Sequence, residues 1–233
     1  MSWQRVPSFS PASIQSKIIM NRKDQTVFAD KWANPQAVWD ERYAESEPLY
    51  GLKPNTYLEA QVKRLQSGSK ILLPGDGYGR NGIWLAKQGF RVHTVDLSPV
   101  GVERARKTAQ AAGLRMTIEQ ADLSRWQWPV KEFDAAAAIF VHLPSAIRRP
   151  VHASMLRALK SGGIAIIQSF TPAQLQFSSG GPKDVDMLCT AELLSEEFTG
   201  AEILELEEKT LHLEEGHKHS GMGALVQAVF RAR

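Results

Sequence analysis

The feature that most constrains this chain is the run "KILLPGDGYGRNGIWLAKQG", residues 70–89, in which an apolar strand-like segment passes through a glycine-rich turn into a helix-like one. Gly75, Gly77 and Gly79 allow backbone conformations and a closeness of approach that side chains would block. Something has to lie against this turn, and a strand-to-helix glycine turn suits a phosphate or a nucleoside cofactor. The dinucleotide form, Gly-x-Gly-x-x-Gly or Ala, needs a third small residue where the helix packs on its strand. That place holds Arg80. Asp76, inside the turn, would repel a pyrophosphate, so a cofactor with a cationic end fits better.

The same alternation continues along the chain. Strands are expected at Lys70–Pro74, Arg91–Val95, Met116–Gln120, Phe133–Phe140 and Gly163–Phe170. Helices are expected at Val38–Ala44, Thr56–Gln66, Asn81–Gln88, Pro99–Ala112 and Ser145–Leu159. Strand–helix units of this kind feed a parallel sheet. The end of the chain changes character: "AEILELEEKTLHL" and "GALVQAVFRAR", joined by "EEGHKHSGM", predict an antiparallel hairpin. A length of 233 residues suits one sizeable core, so one domain is expected over 34–233. Residues 1–33 form a mixed N-terminal extension of uncertain order.

Two further acids sit where strands end. Asp96, in "HTVDLS", can accept both ribose hydroxyls, a position that NAD enzymes share. Asp122, in "EQADLSRW", can accept from the exocyclic amine of adenine, with Ala121 and Leu123 flanking the ring.

Composition narrows the partners. The 28 basic residues stand against 25 acidic ones, a net charge of +3 that gives no nucleic-acid footprint. The single cysteine, Cys189, excludes an intramolecular disulfide and fits a reducing compartment. No apolar stretch suits a membrane span, and the polar start lacks a signal-peptide core. A cytoplasmic protein with no membrane partner is expected.

At these residues the sequence resembles the class I S-adenosylmethionine-dependent methyltransferases. "LLPGDGYGRNGIWLAKQG" is similar to their first motif, "VHTVDLS" to the second, "QADLSRW" to the adenine-contact motif, and "FDAAAAIFVHLP" to the fourth strand and its exit. "WDERYAESEPLYGLKPNTYL", "GGPKD" and "EGHKHSG" resemble the tellurite-resistance and thiopurine methyltransferase-like group. The resemblance implies an α/β, Rossmann-like fold. Its seven-stranded, mostly parallel sheet has the order 3-2-1-4-5-7-6, with an antiparallel last hairpin and helices on both faces. It also implies S-adenosyl-L-methionine as cofactor, with S-adenosyl-L-homocysteine as product. The cofactor residues would be Gly75, Asp76, Gly77, Tyr78, Gly79 and Asn81 in the turn. Asp96, Leu97, Ser98, Ala121, Asp122, Leu123 and Phe140 would join them from the tips of the next strands.

Other residues carry two readings each. Trp39, Arg42 and Tyr43 share one helix face. If that face closes over the site, Arg42 pairs with the cofactor carboxylate and the rings lie against the sulfonium; otherwise it is a packing stripe. Tyr50 and Asn55, in an open loop with Pro54, form a lid over the substrate or an ordinary connection. His142, at the exit of the fourth strand, is a general base matched to neutral pH or a residue that caps the next helix. Arg148 draws an anionic acceptor or is a surface charge. His219 contacts substrate or is a solvated turn residue, and with His217 it lacks the partners of a closed metal site.

Methyl transfer from a sulfonium needs an in-line acceptor, a dry site and positioning more than a strong base. There is no Asn-Pro-Pro-Tyr or Asp-Pro-Pro-Tyr after the fourth strand and no Pro-Cys dipeptide, so a small molecule is favoured over nucleic acid. Thiols, selenols or tellurite-derived anions fit a site without an obvious strong base. The alternatives are a non-catalytic cofactor-binding or regulatory protein and an NAD(P)-dependent oxidoreductase.

Overall fold

Ile71, Leu72 and Leu73 are at most 1% exposed, which requires cover on both faces of the strand they form. In the computed structural model, which describes residues 34–233, that strand is β1 (Lys70–Pro74), at the centre of a seven-stranded sheet. The other strands are β2 (Arg91–Asp96), β3 (Thr117–Gln120), β4 (Phe133–Ile139), β5 (Leu159–Phe170), β6 (Glu202–Glu215) and β7 (His219–Arg231). Their order is β3-β2-β1-β4-β5-β7-β6, as the resemblance implies. The first five pair in parallel, and β7 runs antiparallel to both β5 and β6. The extension expected over 1–33 lies outside the described residues.

The helices are α1 (Pro35–Ala44), α2 (Thr56–Gln61), α3 (Arg80–Lys87), α4 (Pro99–Ala111), α5 (Ser145–Ala158) and α6 (Ala191–Glu197). Side-chain caps fix several starts: Asn55 accepts from Leu58 N, Ser98 from Gly101 N and Thr190 from Leu193 N. The helix expected to reach Gln66 instead passes at Val62–Arg64 into a 3-10 turn. The short helix α6 is not in the expected set.

Tyr57, Leu58, Leu85 and Val92 pack on one face of the sheet with Ile71 and Leu73. Val151, Met155, Leu194 and Phe198 pack on the other with Leu72 and Phe133. The Phe198 and Phe230 rings stack at 4.4 Å. Each fully buried leucine or phenylalanine contributes about 1.5–3 kcal/mol relative to exposure, so these two layers hold the sheet rigid between them.

That rigidity presents one edge. Pro74, Asp96, Gln120, Ile139 and Phe170 are the last residues of the five parallel strands. Phe170 pairs with Leu225, so the segment of β7 before Leu225 runs past this edge, and a three-residue connection, 216–218, joins it to β6. Ligands of open parallel sheets bind outside this carboxyl edge. No helix among the described residues is long and apolar enough to cross a membrane.

Candidate functional site

All three turn glycines adopt positive φ, at 71° for Gly75, 59° for Gly77 and 87° for Gly79. Only glycine occupies such positions in succession without strain. Neighbours also crowd them. A methyl group on Gly75 would stand 2.8 Å from Val141, one on Gly77 2.5 Å from the Tyr43 hydroxyl, and one on Gly79 2.9 Å from Ala105. Part of the close approach inferred from the sequence is therefore met by the protein itself, above all by Tyr43. Its ring stacks on Trp39 at 5.5 Å, and the Arg42 guanidinium lies 4.8 Å over the Trp39 ring, so this face of α1 is formed as expected.

Asp96 binds the turn from below. Its Oδ2 accepts from the Gly77 amide at 2.8 Å and its Oδ1 from the Ser98 amide at 2.9 Å. Burial pushes its pKa up to about 6, and no cation pairs with it among the described residues. A desolvated carboxylate with spare lone pairs is suited to accept the hydroxyls of a ribose. Ser98 caps α4 and donates to Asp40, which removes its side chain from the expected cofactor set. Asp76 also departs from expectation. Its carboxylate is turned inward, where Oδ2 accepts from the Gly82 amide at 3.0 Å, and burial pushes its pKa up to about 7. Through Oδ2 it supports the first turn of α3, whose partial positive charge favours it there, while its enclosed Oδ1 has no hydrogen-bond partner.

The next residues reach sideways. The Tyr78 hydroxyl accepts from Tyr50 N at 3.1 Å and donates to Gly51 O at 2.8 Å, while Asn81 Oδ1 accepts from Asn55 N at 2.9 Å. Both tie the turn to the 50–55 loop. Asn55 is no substrate ligand: it is fully buried, caps α2 and donates to Glu215 Oε1 at 2.6 Å.

Across the edge from the turn lies a cluster of rings. His219 stands 4.7 Å from Tyr50, 4.5 Å from Phe140 and 5.4 Å from Phe170, centroid to centroid. His142 stacks on Phe170 at 5.6 Å. The Nδ1 atoms of both histidines are enclosed and have no hydrogen-bond partner. Phe140 has φ 55°, an outlier for a bulky residue, and such strain concentrates at functional sites. Burial, with Arg42 adding to it, lowers His142 to about 3, so the expected general base at neutral pH is corrected to a neutral, weakly basic imidazole. Burial and then Arg80 push His219 well below its ordinary range as well. Its imidazole has room because Gly180, in "GGPKD", lies against it: a methyl group there would stand 2.6 Å from His219 Cδ2.

Arg148 is also corrected. Instead of reaching toward an acceptor, it is 2% exposed, pairs with Glu197 at 3.2 Å and donates to Asp186 O at 2.5 Å. His152 contacts the same carboxylate at 2.7 Å, so the group ties α5 to α6. Among the expected adenine residues, Leu123 packs into the core, Ala121 N donates to Asp96 O at 2.9 Å, and Leu97 O accepts from Gln120 at 3.3 Å. Asp122 is exposed; its Oδ1 is held by Ser124 N at 2.8 Å, and it borders a recess of about 520 Å³ beside His93 and Trp126. Sequence reasoning did not single out Phe170, Glu215 or a role for Arg80, because their partners are distant in the chain.

Residues 71–163 match the family model for the methyltransferase domain. The chain is 38% identical over 105 residues to an S-adenosyl-L-methionine-dependent Diels-Alderase of Talaromyces variabilis, a match covering 42% of this chain and 35% of that protein. It is 37% identical over 70 residues to a thiopurine S-methyltransferase of Pseudomonas entomophila, covering 29% of this chain and 32% of the relative. The chain thus spans about a third of the length of each of these relatives. A solved structure from work on the conversion of a disulfide bond into a thioacetal group during echinomycin biosynthesis shares the fold. The TM-score is 0.68 at 22% identity, over 84% of this chain and 89% of that one. Residues 71–163 are thus similar to a methyltransferase domain, and the sheet that carries them has the strand order that the resemblance to the class I S-adenosylmethionine-dependent methyltransferases implies.

Proposed function

We propose that the protein transfers a methyl group from S-adenosyl-L-methionine to a small acceptor with a soft nucleophilic atom: a thiol, a selenol or a tellurium anion. One observation carries this reading: two buried, neutral imidazoles with unpartnered Nδ1 atoms stand in an aromatic cluster at the sheet edge that also bears the glycine turn and Asp96. When bound, the cofactor supplies a methyl group on a cationic sulfur.

The chain's residues bind, orient and exclude water. Asp96 accepts the ribose hydroxyls, each such charged hydrogen bond contributing roughly 1.5–3 kcal/mol. The Gly75–Gly79 turn admits the nucleoside, Asp122 meets the adenine edge, and Trp39, Arg42 and Tyr43 cover the amino-acid end. Tyr50, Phe140 and Phe170 keep the acceptor side dry. His142 or His219 would accept a hydrogen bond from the acceptor X–H and so orient X toward the methyl group that the bound cofactor would supply, the proton leaving to solvent as X ionises. An imidazole lowered to about 3 is too weak a base to deprotonate an amine or alcohol. A thiol, at a pKa of about 8.5, already carries appreciable anion at neutral pH. The thiopurine S-methyltransferase relative supports a sulfur acceptor.

The test is incubation with the cofactor and a panel of thiols, selenols, tellurite and amines, read by mass spectrometry. Methylated thiol or chalcogen products with S-adenosyl-L-homocysteine are expected; methylation confined to amines overturns the acceptor class. A second reading, cofactor binding without turnover, is favoured by the Diels-Alderase relative. It predicts bound cofactor and no S-adenosyl-L-homocysteine with any acceptor.

A further inference from the structure

Arg80 stands where a dinucleotide turn would have a small residue, and the structure gives it a specific occupation. It is the first residue of α3, directly after the last turn glycine, and its side chain is 9% exposed. One end nitrogen donates to Tyr50 O at 3.1 Å and Lys53 O at 3.4 Å; the other pairs with Glu215, itself 6% exposed. The second oxygen of Glu215 is held by Asn55 at 2.6 Å, and Asn55 N returns to Asn81 at 2.9 Å. A closed circuit therefore runs from the glycine turn through the 50–55 loop to the end of β6 and back.

Glu215 is directly followed by the hairpin connection, which is pressed onto the same loop. Lys218 N donates to Leu49 O at 3.1 Å, and a methyl group on Gly216 would stand 2.4 Å from Gly51 N. His219 opens β7 immediately afterwards and pairs across the hairpin with Glu215. Tyr50 and His219, which face each other at 4.7 Å, are thus held at two ends of the Arg80 fork.

We propose that Arg80 and Glu215 are a positioning pair that fixes the distance between Tyr50 and His219, and so the shape of the acceptor side, from an anchor in the cofactor turn. The proposal rests on the methyltransferase reading for its kinetic consequence only. A planar guanidinium serves because two carbonyls and a carboxylate have to be engaged from one rigid group, which an ammonium cannot do with the same geometry.

The test compares Glu215→Gln, Arg80→Lys, Arg80→Met and the charge-exchanged Arg80→Glu/Glu215→Arg with the unaltered chain. Amide hydrogen exchange at Tyr50 and Lys218 should accelerate about tenfold or more in Glu215→Gln and Arg80→Met. Exchange in Arg80→Lys should be intermediate. Affinity for S-adenosyl-L-homocysteine should stay within about threefold, while KM for thiophenol as probe acceptor should rise about tenfold or more. The charge-exchanged pair should recover part of both losses. Unchanged exchange at both amides overturns the proposal, and so does a loss of S-adenosyl-L-homocysteine affinity in step with the thiophenol KM, which would mark general loosening. If the unaltered chain binds S-adenosyl-L-homocysteine but leaves thiophenol unmethylated, the acceptor reading fails while the exchange data still decide the positioning pair.

Discussion

Substituting Gly77 by alanine separates the two reasons for glycine in the turn. The added methyl group would stand 2.5 Å from the Tyr43 hydroxyl and 2.7 Å from Cζ, on a backbone at φ +59°. The left-handed backbone costs about 1–2 kcal/mol, and overpacking a filled site costs about 1–3 kcal/mol more, so a total of about 2–5 kcal/mol follows from these two terms. Tyr43 is 6% exposed, stacked on Trp39 and edge-on to Tyr78 at 5.6 Å, so it cannot swing aside without losing those contacts. Gly89→Ala is the control: it has φ +86° and nothing within 4 Å of the added carbon, so it carries the backbone cost alone. Urea unfolding followed by circular dichroism gives both values, and the Gly77 variant should be less stable than the control by about 1–3 kcal/mol. In a Tyr43→Ala background that excess should vanish. Equal costs in the two variants, or an excess that survives removal of the Tyr43 ring, would refute the close-approach argument.

Other perturbations test separate claims. Asp96 titrates near 6 when folded and near about 3.9 when unfolded, so the folded chain binds the extra proton between these values and stability falls as pH rises through that window. Asp96→Asn should remove its share of that slope, up to about 3 kcal/mol, leaving the share of Asp76, which is raised to about 7, while weakening S-adenosyl-L-homocysteine binding about tenfold or more; urea midpoints across pH and calorimetry check both. Arg148→Met removes one partner of buried Glu197 but leaves His152 at 2.7 Å and Arg149 at 3.6 Å, so it should cost less in unfolding than the roughly 3–5 kcal/mol of a buried charge left without a partner, with the acceptor KM unchanged, whereas a substrate role would raise that KM. His219→Phe should lower probe methylation without altering cofactor affinity. Because burial keeps His142 and His219 neutral across the neutral range, kcat/KM should follow acceptor ionisation rather than an imidazole titration, and an inflection lost in His142→Phe would contradict this.

Strands β1 to β5 and the last hairpin were readable because short apolar runs and turn residues are local signals. β1 falls at Lys70–Pro74 as expected, and β2 runs one residue longer than expected, to Asp96. The helix α6 was not readable. Its seven residues hold little periodicity, and it starts from the Thr190 cap and packs Leu194 under the sheet. The turn itself, with three glycines at positive φ and Asp96 ending β2, was legible from position alone. The directions of Asp76, Asn55 and Arg148 were not, since a carboxylate, amide or guanidinium can turn either way and burial against partners 6, 160 and 49 residues off decides it. The low basicity of His142 has no signal in the sequence for the same reason, because desolvation is a property of the packed surroundings.

The overshoot of the β6–β7 hairpin beyond the sheet has a practical side. The glycine turn and Asp96 come from consecutive turns at the strand tips, whereas the facing ring cluster is borrowed from the 48–55 loop, the tips of β4 and β5, and the start of β7. Exchanging the loop and the hairpin tip as a matched cassette, together with whatever residue replaces Arg80, would reshape the ring cluster while leaving the glycine turn and Asp96 intact.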